Sequence, residues 1–92
     1  MAVTSLQVTQ TGAGVAIAPS KTYARWVIFQ NNAGHAIRLG GANVTASLGA
    51  ALNSTGSTFI PPIGDSGHTD LGQWYAFGTN ADVLDVIYDS MN

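Results

Sequence analysis

Cysteine and glutamate are both absent from this 92-residue chain, and charged residues make up only 9% of it. Without cysteine there is no disulfide framework, no thiol nucleophile and no cysteine-based zinc site, and the compartment is left open. Soluble domains usually carry about 25% charged residues. Here Lys21, Arg25 and Arg38 face five Asp, for a net charge of −2. That is too little positive charge for the basic patch that nucleic acids attract. No apolar run approaches the roughly 20 residues of a membrane span. The opening MAVTSLQVTQ lacks the basic segment and apolar stretch of a signal peptide. The expected partners therefore include neither nucleic acid nor a membrane.

Low charge does not make the chain a candidate for disorder, because hydrophobic residues make up 46% of it and disordered segments are typically charge-rich and aromatic-poor. Its surface must be covered by Ser, Thr, Asn, Gln and Gly. Such a surface lacks strong charge repulsion and can lie against other proteins. The length corresponds to one domain, residues 1–92, with one core.

Tyr23 to Gly41, YARWVIFQNNAGHAIRLGG, reads as a β-hairpin. One arm, Tyr23 to Gln30, sets Tyr23, Arg25, Val27 and Phe29 against Ala24, Trp26, Ile28 and Gln30, so both faces carry large apolar groups. Such a strand is either central or meets a neighbouring subunit. Asn31 to Gly34 is turn chemistry, and His35 to Leu39 forms the second arm. Upstream, Val3 to Gln10 alternates as a strand or as part of an extended N-terminal arm spanning residues 1–22. Val15 to Ala18 is short and stops at Pro19. Downstream, Asn43 to Ala46 reads as a short strand and Leu48 to Leu52 as a helical turn. Thr58 to Ile60 is extended into Pro61-Pro62, and Gly64 to Gly72 is a long polar loop. Gln73 to Phe77 and Ala81 to Tyr88 close the chain as strands. Seven to eight short strands with Gly, Pro and Asn between them predict an all-β fold. The architecture expected is a small antiparallel β-sandwich or barrel, jelly-roll-like. Ile28, Phe29, Ile37, Leu39, Leu84 and Val86 are expected to be largely buried, within the subunit or between subunits.

Few residues carry candidate chemistry. Gly64-Asp65-Ser66-Gly67-His68 superficially matches a serine-protease signature, but a triad assembles Ser, His and Asp from separate parts of a scaffold. A glycine-rich surface loop is the plainer reading. Asp65, His68 and Asp70 could converge on a cation, yet they lack the ordered spacing of a calcium loop, so no metal is expected. His35 reads as a structural histidine at a strand start. Gly12 and Gly14 lack the third glycine of a dinucleotide fingerprint, and Ser20 replaces the glycine that a phosphate loop places before Lys21. No catalytic residue and no cofactor is therefore expected. Trp26, Trp74, Tyr75 and Phe77 are the candidate interface anchors, since aromatics in a small β domain serve more often in the core or at an interface than as ligand platforms. Stacking of Trp26, Trp74 or Tyr75 on sugars is the rival use.

From Trp26 to Tyr88 the order of features forms a pattern. Gln30-Asn31 leads through Gly34 to Ile37-Arg38-Leu39-Gly40, followed by Val44-Thr45, Gly49, Leu52 and Pro61-Pro62. Then come Asp70-Leu71-Gly72-Gln73-Trp74-Tyr75, Gly78-Thr79 and Val83-Leu84-Asp85-Val86. This resembles small virion proteins of tailed bacteriophages, including capsid decoration (cement) proteins and tail, baseplate or fibre components. The resemblance implies a non-enzymatic structural protein of the virion, assembled in the host cytoplasm. It also implies a self-associated unit, trimeric in the decoration proteins, that contacts the major capsid protein or another virion protein. It brings no catalytic residues.

Overall fold

The computed structural model describes residues 2–91. Among them are nine strands: β1 (Ala2–Thr9), β2 (Val15–Ala16), β3 (Tyr23–Asn31), β4 (Ile37–Gly40), β5 (Ala50–Leu52), β6 (Ser57–Phe59), β7 (Thr69–Asp70), β8 (Tyr75–Phe77) and β9 (Val83–Ser90). A single 3₁₀ turn, Leu71–Gln73, joins β7 to β8. The first sheet has the order β1-β9-β3-β6, with β7 also on β3, and the second has the order β2-β8-β4-β5. Every pairing is antiparallel. Setting β7 aside, each connection changes sheet except β4 to β5. That is the winding of a jelly roll, two Greek keys wrapped into a sandwich. The expectation of an all-β, jelly-roll-like sandwich is met.

The core fills the space between the sheets. Val27, Phe29, Leu84, Val86 and Tyr88 come from the first sheet, and Ile37, Leu39, Leu52 and Ala76 from the second. Along β9 the alternation is regular: Leu84, Val86 and Tyr88 are buried, while Val83, Asp85 and Ile87 face out. In β3 it is interrupted. The register with β9 shifts between Ala24 and Val27, and Ala24, Val27, Phe29 and Asn31 all become buried. A bulge adds one residue and reverses the inward–outward parity of the residues beyond it. Ala24 thus joins the inner face that simple alternation assigns to Val27 and Phe29. Arg25 and Trp26 remain exposed, and Ile28 lies on the outer side, half-buried rather than in the core.

The expected hairpin does not form. β3 and β4 belong to different sheets, and the segment between them crosses the end of the sandwich. At that crossing Asn31 is fully buried. Its side-chain nitrogen lies 2.8, 3.0 and 3.2 Å from the carbonyl oxygens of His35, Leu52 and Asn53. Its side-chain oxygen accepts from the Ala33 N–H at 2.9 Å. The Gly56 N–H donates to the Asn31 carbonyl at 2.7 Å, tying in the β5–β6 crossover alongside. A residue type that suits local turns here serves a buried junction between distant segments.

Two further expectations are corrected. Residues 43–46 form no strand; Val44 is buried and the backbone turns. Leu48 to Leu52 is not helical, because Ala50–Leu52 pairs with Ile37–Leu39 as β5. Sheet pairing overrides the helix preference of a run too short to form a helix alone. Within the 64–72 loop, β7 and the 3₁₀ turn add order that its polar composition does not announce.

Candidate interaction surface

The polar groups of the loops serve the fold. The Ser66 hydroxyl donates to the His68 carbonyl at 3.1 Å, and His68 Nδ1 lies 3.1 Å from the Ser66 carbonyl. Ser66 and His68 thus do not form a nucleophile–base pair. The His68 ring meets Tyr23 edge-on, with centroids 5.3 Å apart. Asp70 accepts from the backbone N–H groups of Gly72, Thr22 and Lys21 at 2.9, 3.0 and 3.1 Å. The Gly72 N–H lowers its pKa most; desolvation opposes it, and the Lys21 and Thr22 amides and the Gln73 side chain add smaller lowering effects. The carboxylate caps the 3₁₀ turn and anchors the β2–β3 loop. Among the described residues no three His, Asp or Glu side chains gather as a metal site. His35 Nδ1 lies 2.8 Å from Asp82 on the surface.

The four aromatic candidates occupy three different places. Trp26 is 37% exposed on the outer face of the first sheet. Trp74 packs against the core, 5.6 Å from Phe29 and 6.2 Å from Phe59 by ring centroids, and its indole N–H donates to Thr69 Oγ1 at 3.0 Å. Tyr75 and Phe77 flank the buried Ala76 and so face outward from the second sheet. Beside Phe77, a groove of about 370 Å³ is lined by small residues and Arg38, whose guanidinium donates to the Gly49 carbonyl at 2.8 Å.

The larger concavity lies on the outer face of the first sheet, an open groove of about 700 Å³ across β1, β9 and β3. Its polar side is a connected row. Gln7 Nε2 donates to Asp85 Oδ1 at 3.0 Å, and Asn32 Nδ2 donates to Asp85 Oδ2 at 2.7 Å and to Gln30 Oε1 at 3.0 Å. Both Asp85 oxygens are therefore engaged. Its apolar side is Ile28 and Ile87, cross-strand neighbours in the register. Of the large apolar side chains exposed among the described residues, Val3, Trp26, Ile60, Ile87 and Met91 lie on this sheet or just beyond its strands, and Leu48 lies elsewhere. Ile60 and Ile87 were not singled out by the sequence, whereas Ile28 was expected to be buried within the subunit or between subunits and lies half-buried on this face.

Comparison of the chain with protein-family models, characterised proteins and solved structures finds no match. Function is therefore argued from the fold and this surface.

Proposed function

We propose that the chain is a structural, non-enzymatic virion protein that decorates and stabilises the head of a tailed bacteriophage. In this reading it works as a self-associated subunit seated on the major capsid protein or another virion protein. The observation that carries the reading is the outer face of the first sheet, where exposed apolar side chains adjoin a row of amides and one already engaged carboxylate. Apolar patches rimmed by polar groups mark interaction sites. Two further features support it. Charged residues are few, and the jelly roll is an architecture that recurs in viral capsid proteins, though also in lectin domains. The number three for the unit rests on the resemblance alone.

A cryo-EM map of the virion that carries the protein tests this. Density for the sandwich on the outside of the head supports decoration; density on tail, baseplate or fibre moves the protein to those structures. Ile87→Asp should abolish binding to the particle while the melting temperature stays within a few degrees. A saturable change of tryptophan fluorescence on titration with sugars would instead favour a carbohydrate-binding module.

A further inference from the structure

Among the described residues four strand edges are open in the sandwich, and one differs from the rest. β2, β5 and the β6/β7 side of β3 offer two or three residues at a time, whereas β1 is eight residues long. Its register with β9 runs without interruption from Ala2 opposite Ser90 to Thr9 opposite Val83. Natural sheets guard long edges with Lys, Pro, bulges or inward charges. β1, AVTSLQVT, has none of these.

The hydrogen bonds fix which backbone groups are open. The Gln10 N–H donates to the Asp82 carbonyl at 2.7 Å, and at the other end the Met91 N–H donates to the Tyr23 carbonyl at 3.0 Å. Alternate residues of a strand send N–H and C=O to the same side. Odd residues of β9 thus bond to β3 and even ones to β1. On β1, Ala2, Thr4, Leu6 and Val8 bond to β9, while Val3, Ser5, Gln7 and Thr9 hold their N–H and C=O toward the open edge.

We infer that β1 pairs with β1 of a second copy, antiparallel about a two-fold axis at Leu6, in place of the three-fold unit that the resemblance implies. The inference rests on this edge and not on the virion reading. In that register Ser5 opposes Gln7 and Val3 opposes Thr9 of the second copy, so all four open residues on each chain bond. Leu6 opposes itself, and Thr4 opposes Val8. The occupant is a second copy because the strand is complementary to itself. A two-fold contact sets each patch against its own image, where any charge on the axis would meet a like charge, and β1 carries none. Leu6 is half-buried and packs at the margin of the core; its own image covers it. The pairing also places Ser5 and Gln7 of the second copy at the β1 wall of the groove. The grooves of the two copies then form one surface across a continuous sheet.

The absence of cysteine makes the register directly testable. Paired residues that do not share hydrogen bonds stand about 4.5 Å apart at Cα, within disulfide range. Leu6→Cys should therefore form a disulfide-linked dimer under oxidised glutathione. Thr4→Cys, four residues from its own image, should not. A mixture of Ser5→Cys and Gln7→Cys chains gives the same reading with Leu6 intact. In sedimentation at micromolar concentration the wild type should run near twice its 9.5 kDa chain mass. Ser5→Pro removes an open N–H without touching the β9 ladder, and Ser5→Lys adds a charge on that edge. Each should weaken association about tenfold or more with an unchanged far-UV spectrum. A persistent 9.5 kDa species overturns the inference, as does a trimer that Ser5→Pro leaves intact, or equal cross-linking by Thr4→Cys and Leu6→Cys. A dimer found for a protein absent from any virion would uphold this pairing and remove the proposed function, so the two fail separately.

Discussion

The two sheets hold their shape by different means. The first is a ladder of long strands: β9 is paired along its length by β1 on one side and by β3 on the other. The second is made of strands of two to four residues, too short to persist on ladder bonds alone. Loop contacts compensate. Arg38 holds the Gly49 carbonyl, and the Thr45 hydroxyl accepts from the N–H groups of Ser47 and Leu48 at 3.2 and 3.0 Å. Gly49, at φ +123°, passes so close to Leu39 that a Cβ would meet its carbonyl oxygen at 2.8 Å. The difference teaches that the first sheet is robust and leaves an outer face free for contact, while the second depends on close fit at its loops.

The largest effect is expected from emptying the core that the sheets share. Phe29→Ala removes a fully buried ring that contacts Phe59 and Trp74. Chemical denaturation should show a loss of about 3–5 kcal/mol. A loss of only about 1 kcal/mol would mean that the first sheet stands without the inter-sheet packing. Next is the junction. Asn31→Ala leaves three carbonyls without their amide partner and should cost about 2–3 kcal/mol. Amide exchange should then rise first in β4 and β5, the dependent sheet; equal acceleration in β9 would contradict the division.

Ile28→Ala sharpens the claim about the outer face. Because this side chain is half-buried rather than enclosed, the expected loss in the isolated chain is about 1 kcal/mol. A loss of about 3 kcal/mol or more, measured at a concentration where the chain is monomeric, would place Ile28 back in the core. The smallest effect is expected from acid. The folded-state pKa of Asp70 is lowered from 3.8, chiefly by the Gly72 N–H, so its contribution is complete above the ordinary carboxylate value and fades as pH falls through the lowered one. Asp70→Asn should flatten that part of the acid limb in melting experiments and leave the limb above about pH 5 parallel to wild type. An unchanged acid limb would show that the capping carboxylate does not couple to folding.

How far the sequence could be read differs between the sheets in the same way. β1 and β9 announce themselves by alternation over eight residues, and β3 by its run of β-branched and aromatic residues; their observed spans lie close to those expected. β5 is three residues of Ala and Leu, a composition with no periodicity to detect, and its strand conformation comes from pairing with β4. Trp74 signals an aromatic anchor by type alone; that it turns toward Phe29 follows from its place before β8. The groove is less legible still. Gln7, Asp85, Gln30 and Asn32 are scattered in sequence and meet only because β1, β9 and β3 lie side by side.

An all-β chain with one core, few charges and most of its inward-facing apolar set was legible in the order of residues, because period-two alternation and turn residues are local properties. Only the folded chain shows that β3 and β4 part into different sheets, that a bulge turns Ala24 inward and leaves Arg25 outside, and that β1 is the long open edge. Each of these depends on which strands become neighbours. Strand pairing joins residues distant along the chain through backbone groups that every residue shares, so side-chain pattern alone does not encode it.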